Sequence, residues 1–214
     1  SPKCPSTGRL GRIYYRAPMT APHLTAITGG IGAGKSVVSR MLRVMGYEVF
    51  DCDREAKMLM DSDPEIKSRL KTEIHSDTVD RHGIINRRLL SSVAFSDPAK
   101  LTTLNAIVHS SVRKHINLWR QGCRTKHIFV ETAILYQSSL DKMVDDVIEV
   151  IAPVEVRVKR VMERNNYSRE EVVARMDSQR FTPQKAHPFV TELTNDNVTP
   201  ILPQLRLYLR SSQK

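Results

Sequence analysis

The run Gly29-Gly30-Ile31-Gly32-Ala33-Gly34-Lys35-Ser36 constrains this chain more than any other stretch. Gly29, Gly34, Lys35 and Ser36 satisfy the pattern G-x-x-x-x-G-K-[ST], and each fixed position has a physical task. Glycines let main-chain N–H groups turn inward and touch an anion with no Cβ in the way. A helix beginning at the lysine presents its positive end to the same anion. The lysine reaches the outer phosphates of a nucleoside triphosphate, and the serine hydroxyl is placed to ligate Mg²⁺. The arrangement works only between a strand and a helix, and the flanks supply both. Leu24 to Thr28 is a short apolar run; Val37, Val38, Met41, Leu42 and Met45 then recur at helical spacing until Gly46. Tyr47 to Phe50 reads as a second strand ending in Asp51-Cys52-Asp53, so the chain opens as a parallel α/β sheet.

Residues 1–22 lack a sustained period and contain no acid, and read as a flexible extension outside the fold. Their four basic residues, Lys3, Arg9, Arg12 and Arg16, supply four of the ten excess positive charges. The remaining excess suits polyanionic ligands and equally suits a solvated basic surface. Arg54 to Arg120 reads as mostly helical, with one helix over Arg87 to Phe95 and a longer one from Asp97-Pro98 through Ile116. So long a helical insertion between strands points to a substrate lobe. The sheet resumes with His127 to Glu131 and Val147 to Ala152. Helices follow over Pro153 to Asn166 and, from the capping box Ser168-Arg169-Glu170-Glu171, to about Arg180. A last strand over Phe189 to Leu193 and a closing helix over Ile201 to Leu209 complete the reading. Three scattered cysteines, Cys4, Cys52 and Cys123, argue against a disulfide framework or a zinc site. With no secretory pattern and no apolar run of eighteen residues, the expected setting is the cytoplasm, away from membranes.

The P-loop pattern is shared by kinases, GTPases, motors and helicases, and the absence of a guanine-reading N-K-x-D disfavours a GTPase. Asp51 and Asp53 lie at the end of strand two, where open α/β sheets bind their ligands. Being two apart in an extended segment, both could face the site, and one could accept a proton from an attacking hydroxyl. The alternative for Asp53 is that it merely caps the helix beginning near Arg54. Glu131 closes an apolar strand, either as a carboxylate for magnesium or its water or as an ordinary acidic strand end. Arg160 and Arg164 lie four apart on one helix face, with Arg169 and Arg175 after them. Such a face either closes over a triphosphate or is solvated. His109 sits on an apolar-periodic helix, where a lone histidine is more often packed than functional.

Taken in order, these motifs resemble the dephospho-coenzyme A kinase family from Leu24 to the last helix. The family's opening Thr-Gly-Gly-Ile-Gly-[Ser/Ala]-Gly-Lys-Ser stands as Thr28 to Ser36, and its Asp-x-Asp-x-x-x-[Arg/Lys] as Asp51, Asp53 and Lys57. Gly83 to Leu90 is similar to its Gly-x-[Ile/Leu]-[Asn/Asp]-Arg-x-x-Leu. Phe95 to Pro98 and Leu104 to His109 are similar to its segment ending in Leu-His-Pro, and Arg160, Arg164, Arg175 and Gln179 to its lid pattern. The resemblance implies a P-loop kinase fold: a five-stranded parallel sheet flanked by helices, with a helical substrate lobe and a helical lid. The nucleotide-binding core then spans 23–55 and 121–214, the lid about 153–187, and the coenzyme A-binding lobe 56–120.

By the same resemblance, Gly30, Ile31, Gly32, Ala33, Gly34, Lys35, Ser36 and Val37, with Arg160 and Arg164, bind ATP, and Ser36 ligates Mg²⁺. Asp53 is the general base, assisted by Lys35 and Arg164. Thr28, Asp53, Arg87, His109 and Glu131 bind the second substrate, dephospho-coenzyme A. The implied reaction is direct in-line transfer to the ribose 3′-hydroxyl by a monomer or small homo-oligomer. The chain departs from the family at Gln137, where a glutamate is usual after Ala133-Ile134-Leu135-Tyr136, at Ser110 in place of the proline, and at Ala186-His187-Pro188. Two other readings share some features. A nucleoside or nucleoside-monophosphate kinase has the same core and lid, and a nucleic-acid-binding ATPase suits the positive charge. Aromatics at 6%, not interleaved with basic residues, argue against nucleic acid.

Overall fold

Strand runs that are apolar almost throughout leave both faces of a sheet in need of cover, the mark of parallel pairing. The computed structural model describes residues 21–212. The expected N-terminal extension therefore lies outside the described residues, apart from Ala21 and Pro22. The strands are β1 (His23–Thr28), β2 (Glu48–Asp51), β3 (His127–Glu131), β4 (Asp146–Ile151) and β5 (Val190–Thr194). All pair in parallel in the order β2-β3-β1-β4-β5, so the five-stranded core expected from the sequence is present. The helices are α1 (Lys35–Val44), α2 (Cys52–Ser62), α3 (Pro64–Arg69), α4 (Arg87–Ser96), α5 (Pro98–Gly122), α6 (Val154–Asn165), α7 (Arg169–Ser178) and α8 (Ile201–Ser211). Among the described residues no helix is long and apolar enough to cross a membrane.

The alternation of strand side chains divides the core in two. Leu24, Ala26, Ile128, Val130 and Val147 point to one face and pack with Leu59, Ile66, Ile107, Val112 and Ile116 of α2, α3 and α5. Ile27, Phe129, Ile148 and Val150 point to the other and pack with Val38 and Leu42 of α1 and Leu205 and Leu209 of α8. Phe129, fully buried between these layers, would forfeit roughly 3–5 kcal/mol on truncation to alanine. A third, smaller cluster joins Val158 and Val161 of α6 to Val172 of α7, with Ile31 of the glycine turn packed against it.

Helix starts follow side-chain caps. Asp97 accepts from the N–H groups of Ala99 and Lys100 ahead of Pro98, and Asn86 accepts from Leu89 N–H. The capping box read at Ser168 and Glu171 is formed in both directions. The segment between β2 and β3 is less uniformly helical than its composition implies. A π turn over Leu70–Ile74 and a 3₁₀ turn over Ser76–Thr78 follow α3, and then Val79 and Ile85 form an antiparallel bridge. The tight turn between them is made by Asp80, whose Oδ1 accepts from the N–H groups of His82 and Ile84 at 2.8 and 2.9 Å.

Candidate active site

The glycine turn leaves β1 at its C-terminal end and delivers the chain into α1. Gly34 is the N-cap and, among the described residues, no side chain caps the helix. The N–H groups of Lys35 and Ser36 have no main-chain acceptor among the described residues and are left for another partner, as an anion site requires. Gly34 and Gly32 are among the glycines forced by crowding as well as conformation. At Gly34, with φ +97°, a Cβ would lie 2.1 Å from Asn195 Nδ2. At Gly32, with φ +76°, it would lie 2.6 Å from the Arg157 carbonyl oxygen. Ala33 is buried, and its carbonyl accepts from Asn195 Nδ2 at 2.8 Å. Val37 N–H donates to the Gly34 carbonyl at 3.0 Å, tightening the first turn of α1.

Lys35 Nζ folds back to donate to the Gly29 carbonyl at 2.8 Å. Burial holds the Lys35 ammonium below its usual range; the carboxylates of Glu131 and then Asp53 oppose that shift, and Arg157 and Arg164 add to it. Four sequence-predicted residues, Lys35, Glu131, Asp53 and Arg164, thus share one electrostatic neighbourhood. Ser36 is exposed on the first turn of α1. Glu131 is half-buried at the end of β3, registered against Asp51 of β2 and Ile27 of β1.

The capping question is settled in favour of Asp51. Its side chain accepts from Arg54 N–H at 3.1 Å, and α2 begins at Cys52. Asp53 is therefore not a strand residue two positions from Asp51 but an exposed member of the helix's first turn, with no capping role. It lines a cavity of about 110 Å³ together with His109, Val108 and Val112 of α5 and with Thr132 and Ile134 beyond β3. His109 is half-buried there, and burial, then the nearby Arg113 charge, lowers its pKa and favours the neutral imidazole. Cys52 shares the cavity, its thiol kept protonated by burial and by the carboxylates around it. Arg87 lies outside this grouping; its Nη2 donates to Asp61 at 2.7 Å on the exposed surface of α2.

A larger cavity, of about 430 Å³, opens between the glycine turn, the segment after β3 and the α6–α7 pair. Thr28, Gly30 and Ile31 form its floor, Tyr136 and Gln137 one wall, and Arg157, Arg180 and Phe181 the other. The arginines of α6 do different work from one another. Arg160 faces the back of the turn, donating to the carbonyls of Gly32 at 3.2 Å and Asn195 at 2.9 Å. Arg164 is exposed and donates to Asn165 Oδ1 at 2.9 Å. Arg169 is paired with Glu155, and Arg175 lies 4.4 Å over the Tyr167 ring.

Sequence reasoning missed Arg157, which lines the large cavity and whose Nε donates to the Ile31 carbonyl at 2.8 Å. The signal was available: Arg157, Arg160 and Arg164 repeat at i, i+3 and i+7 on one helix face. Arg113, one turn beyond His109, was also missed; its Nη1 donates to the Ser138 carbonyl at 2.7 Å and ties α5 to the segment after β3. Asn195 carries no local signal, because its contact with Ala33 spans 162 residues.

This arrangement, an anion cradle with a half-buried ammonium near a carboxylate that has no hydrogen-bond partner among the described residues, suits phosphoryl transfer to a hydroxyl. The chain is 36% identical over 180 residues to a dephospho-CoA kinase of Bacteroides fragilis (strain YCH46), covering 84% of this chain and 87% of that one. It is 41% identical over 153 residues to a dephospho-CoA kinase of Porphyromonas gingivalis, covering 72% and 75%. A crystal structure from Thermus thermophilus superposes with a TM-score of 0.69 at 34% identity, covering 91% of this chain and 97% of that one. The family model for dephospho-CoA kinase matches residues 23–200, and the chain belongs to the dephospho-CoA kinase family.

Proposed function

We propose that this chain transfers the γ-phosphoryl group of ATP to the ribose 3′-hydroxyl of dephospho-coenzyme A, with Asp53 as general base. The observation that carries the reading is the placement of Asp53. Asp51 has taken the cap, leaving the Asp53 carboxylate free in the wall it shares with His109, within the electrostatic reach of Lys35. Main-chain N–H groups of the turn, those of Lys35 and Ser36 among them, hold the triphosphate, while Val37 N–H stays on the Gly34 carbonyl; Lys35 leaves the Gly29 carbonyl to meet the transferring phosphoryl. Arg157 and Arg164 add positive charge over the same centre, while Arg160 fixes the turn from behind. Thr28 lies on the floor of the larger cavity, and its position suits contact with the second substrate. Neutral His109 offers it a hydrogen bond from the smaller cavity. Arg87 would reach its phosphates only after leaving Asp61.

Hydroxyl and carboxylate oxygens are the donors a hard divalent cation takes, and the exposed Ser36 and the strand-end Glu131 present that pair beside Lys35. Mg²⁺ carried by ATP would be held by Ser36 directly and by Glu131 through water, and it would neutralise charge on the β- and γ-oxygens. The test is a coupled assay with ATP and dephospho-coenzyme A, run beside adenosine and AMP as acceptors. Turnover should require dephospho-coenzyme A and vanish in Lys35→Ala. Preference for either alternative acceptor, or an undiminished Lys35→Ala rate, would remove this reading.

A further inference from the structure

At the edge of the sheet opposite the phosphate cradle, three neighbouring strands each begin with a residue that ligates metals. His23 opens β1, His127 opens β3 and Asp146 opens β4, and the sheet order places β1 between the other two. His23 is registered against His127, and Asp146 against Thr25, two residues along from His23. Alternation therefore sends all three side chains to the face that α8 covers. Their donor atoms lie within 4.8 Å of one another, and His23 Nε2 stands 3.1 Å from Asp146 Oδ1. We propose that His23, His127 and Asp146 form a binding site for a borderline transition-metal ion, with Zn²⁺ as the representative, separate from the magnesium that accompanies ATP.

The surroundings are those of a supported site rather than a chance grouping. Thr25 Oγ1 donates to Asp146 Oδ1 at 2.6 Å and Tyr208 OH to Asp146 Oδ2 at 2.9 Å, which fixes the plane of the carboxylate. The other ring nitrogen of His23, Nδ1, faces Asp145 Oδ2 at 3.8 Å. Asp145 is itself held by Leu24 N–H at 2.7 Å and by Arg120 Nη2 at 3.3 Å. The 3.8 Å separation from His23 is too long for a hydrogen bond, so Asp145 adds negative charge beside the ring, which favours a bound cation. The His127 ring is stacked on Phe129, with centroids 4.4 Å apart, and its Nε2 meets Thr25 Oγ1 at 2.8 Å. A metal bond from Nε2 takes the place of that hydrogen bond and of the longer one to Tyr208 OH at 3.4 Å. Access comes from the His23 side, where the side chain is 39% exposed against 18% for Asp146.

Two imidazole nitrogens and one carboxylate oxygen select Zn²⁺, Co²⁺, Ni²⁺ or Cu²⁺ over Mg²⁺, and leave one tetrahedral position for water. The bound ion would tie together the first residues of three strands and, through Asp146, Tyr208 of α8. The full chain, stripped with chelator and held in excess Mg²⁺, is titrated with Co²⁺ by visible absorption and with Zn²⁺ by calorimetry. One equivalent of Co²⁺ should produce the ligand-field bands of a four- or five-coordinate site. Zn²⁺ at a hundredfold excess over Kd should raise Tm by about 5–10 °C. His23→Ala, which removes a half-exposed side chain and leaves the core intact, should abolish the bands and weaken Zn²⁺ at least about tenfold. Asp146→Asn, which keeps the carboxylate's shape, should do the same. Absent bands, or bands and affinity that survive both substitutions, overturn the site.

Discussion

Replacing Asp53 by asparagine tests the proposed proton acceptor apart from the structural acid, because the helix cap falls on Asp51. Asn keeps the size and polarity of the side chain and removes only its ability to take a proton. A positioned general base contributes about 10²–10⁴ in rate, or about 2.7–5.5 kcal/mol of transition-state stabilisation. The structural cost should be small, since Asp53 is exposed and accepts no capping bond. Losing one acid from a helix's first turn costs about 0.3–1 kcal/mol, and Tm should fall by no more than about 4 °C. The control is Asp51→Ala, which removes the bond to Arg54 N–H. It should cost about 1 kcal/mol of stability while leaving kcat within about threefold. The assay is steady-state kcat with saturating dephospho-coenzyme A, alongside ATP affinity from calorimetry and thermal melts. Asp53→Asn should lose at least a hundredfold in kcat and still bind ATP. A variant within twofold of wild type, or an Asp51→Ala protein that loses as much rate, would refute the assignment.

Gly34→Ala should destabilise the protein by about 3 kcal/mol, lowering Tm by about 6–12 °C, because it strains a left-handed residue and displaces the Asn195 amide from the Ala33 carbonyl. An unchanged melting curve would mean that the turn yields freely. Glu131→Gln removes the carboxylate that most strongly opposes the burial-driven lowering of the Lys35 pKa. The basic limb of kcat/KM for ATP should then move to lower pH; an unmoved limb would uncouple the two residues. Glu48 accepts from Arg124 N–H and Thr125 N–H at 2.8 and 3.0 Å, and the Thr125 main-chain bond leads the causes that hold its carboxyl below the ordinary value of 4.5. A depressed folded-state pKa stabilises above the unfolded value and is lost as pH falls through the folded one. Glu48→Gln should therefore cost about 1.5 kcal/mol by urea unfolding at pH 7, with the two proteins drawing together as pH falls through the depressed folded-state value. Parallel curves throughout would place the stabilisation elsewhere.

What the sequence made legible is what is decided locally. The strand before Gly29, the helix after it, the cap at Asp97 and the capping box at Ser168 each lie within a few residues of the atoms they satisfy. The periodic apolar positions of α5 marked its start and, at Ile107, Val112 and Ile116, its buried face, although Leu101 is exposed and the helix runs past Ile116 to Gly122. The status of Asp53 was not legible, because it turns on whether α2 starts at Cys52 or near Arg54, a difference of half a helical turn that propensity does not resolve. Asp51 and Asp53 are chemically identical choices until one N–H group selects its acceptor. The interruption between Ile74 and Gly83 was signalled by Ser76, Asp77, Thr78 and Asp80, residues that favour turns and caps over helix interiors, and the reading of Arg54 to Arg120 as mostly helical passed over them. Arg157 could have been found by extending the arginine stripe one turn back, whereas Asn195 could not, since its partner is fixed by the stacking of β5 against β4.

Parallel pairing explains why the two ends of the sheet carry such different chemistry. With every strand running the same way, the C-terminal ends gather the glycine turn, Asp53 and Glu131 on one side, and the N-terminal ends gather His23, His127 and Asp146 on the other. Carboxylates at the first edge would repel a triphosphate if they stood alone. The charges of Lys35, Arg157 and Arg164 lie within electrostatic reach of the same centre and offset those of Glu131 and Asp53, so a polyanion does not meet acids alone. At the second edge the acid is partnered by imidazole and hydroxyl groups, with no lysine or arginine in contact with Asp146 among the described residues. An anion gains little there, whereas a cation that prefers nitrogen gains two imidazoles and a carboxylate. The same strand direction that builds a phosphate site at one end thus leaves a cation-selective pocket at the other. Activity in the presence of chelator and magnesium should accordingly persist while thermal stability alone responds to zinc.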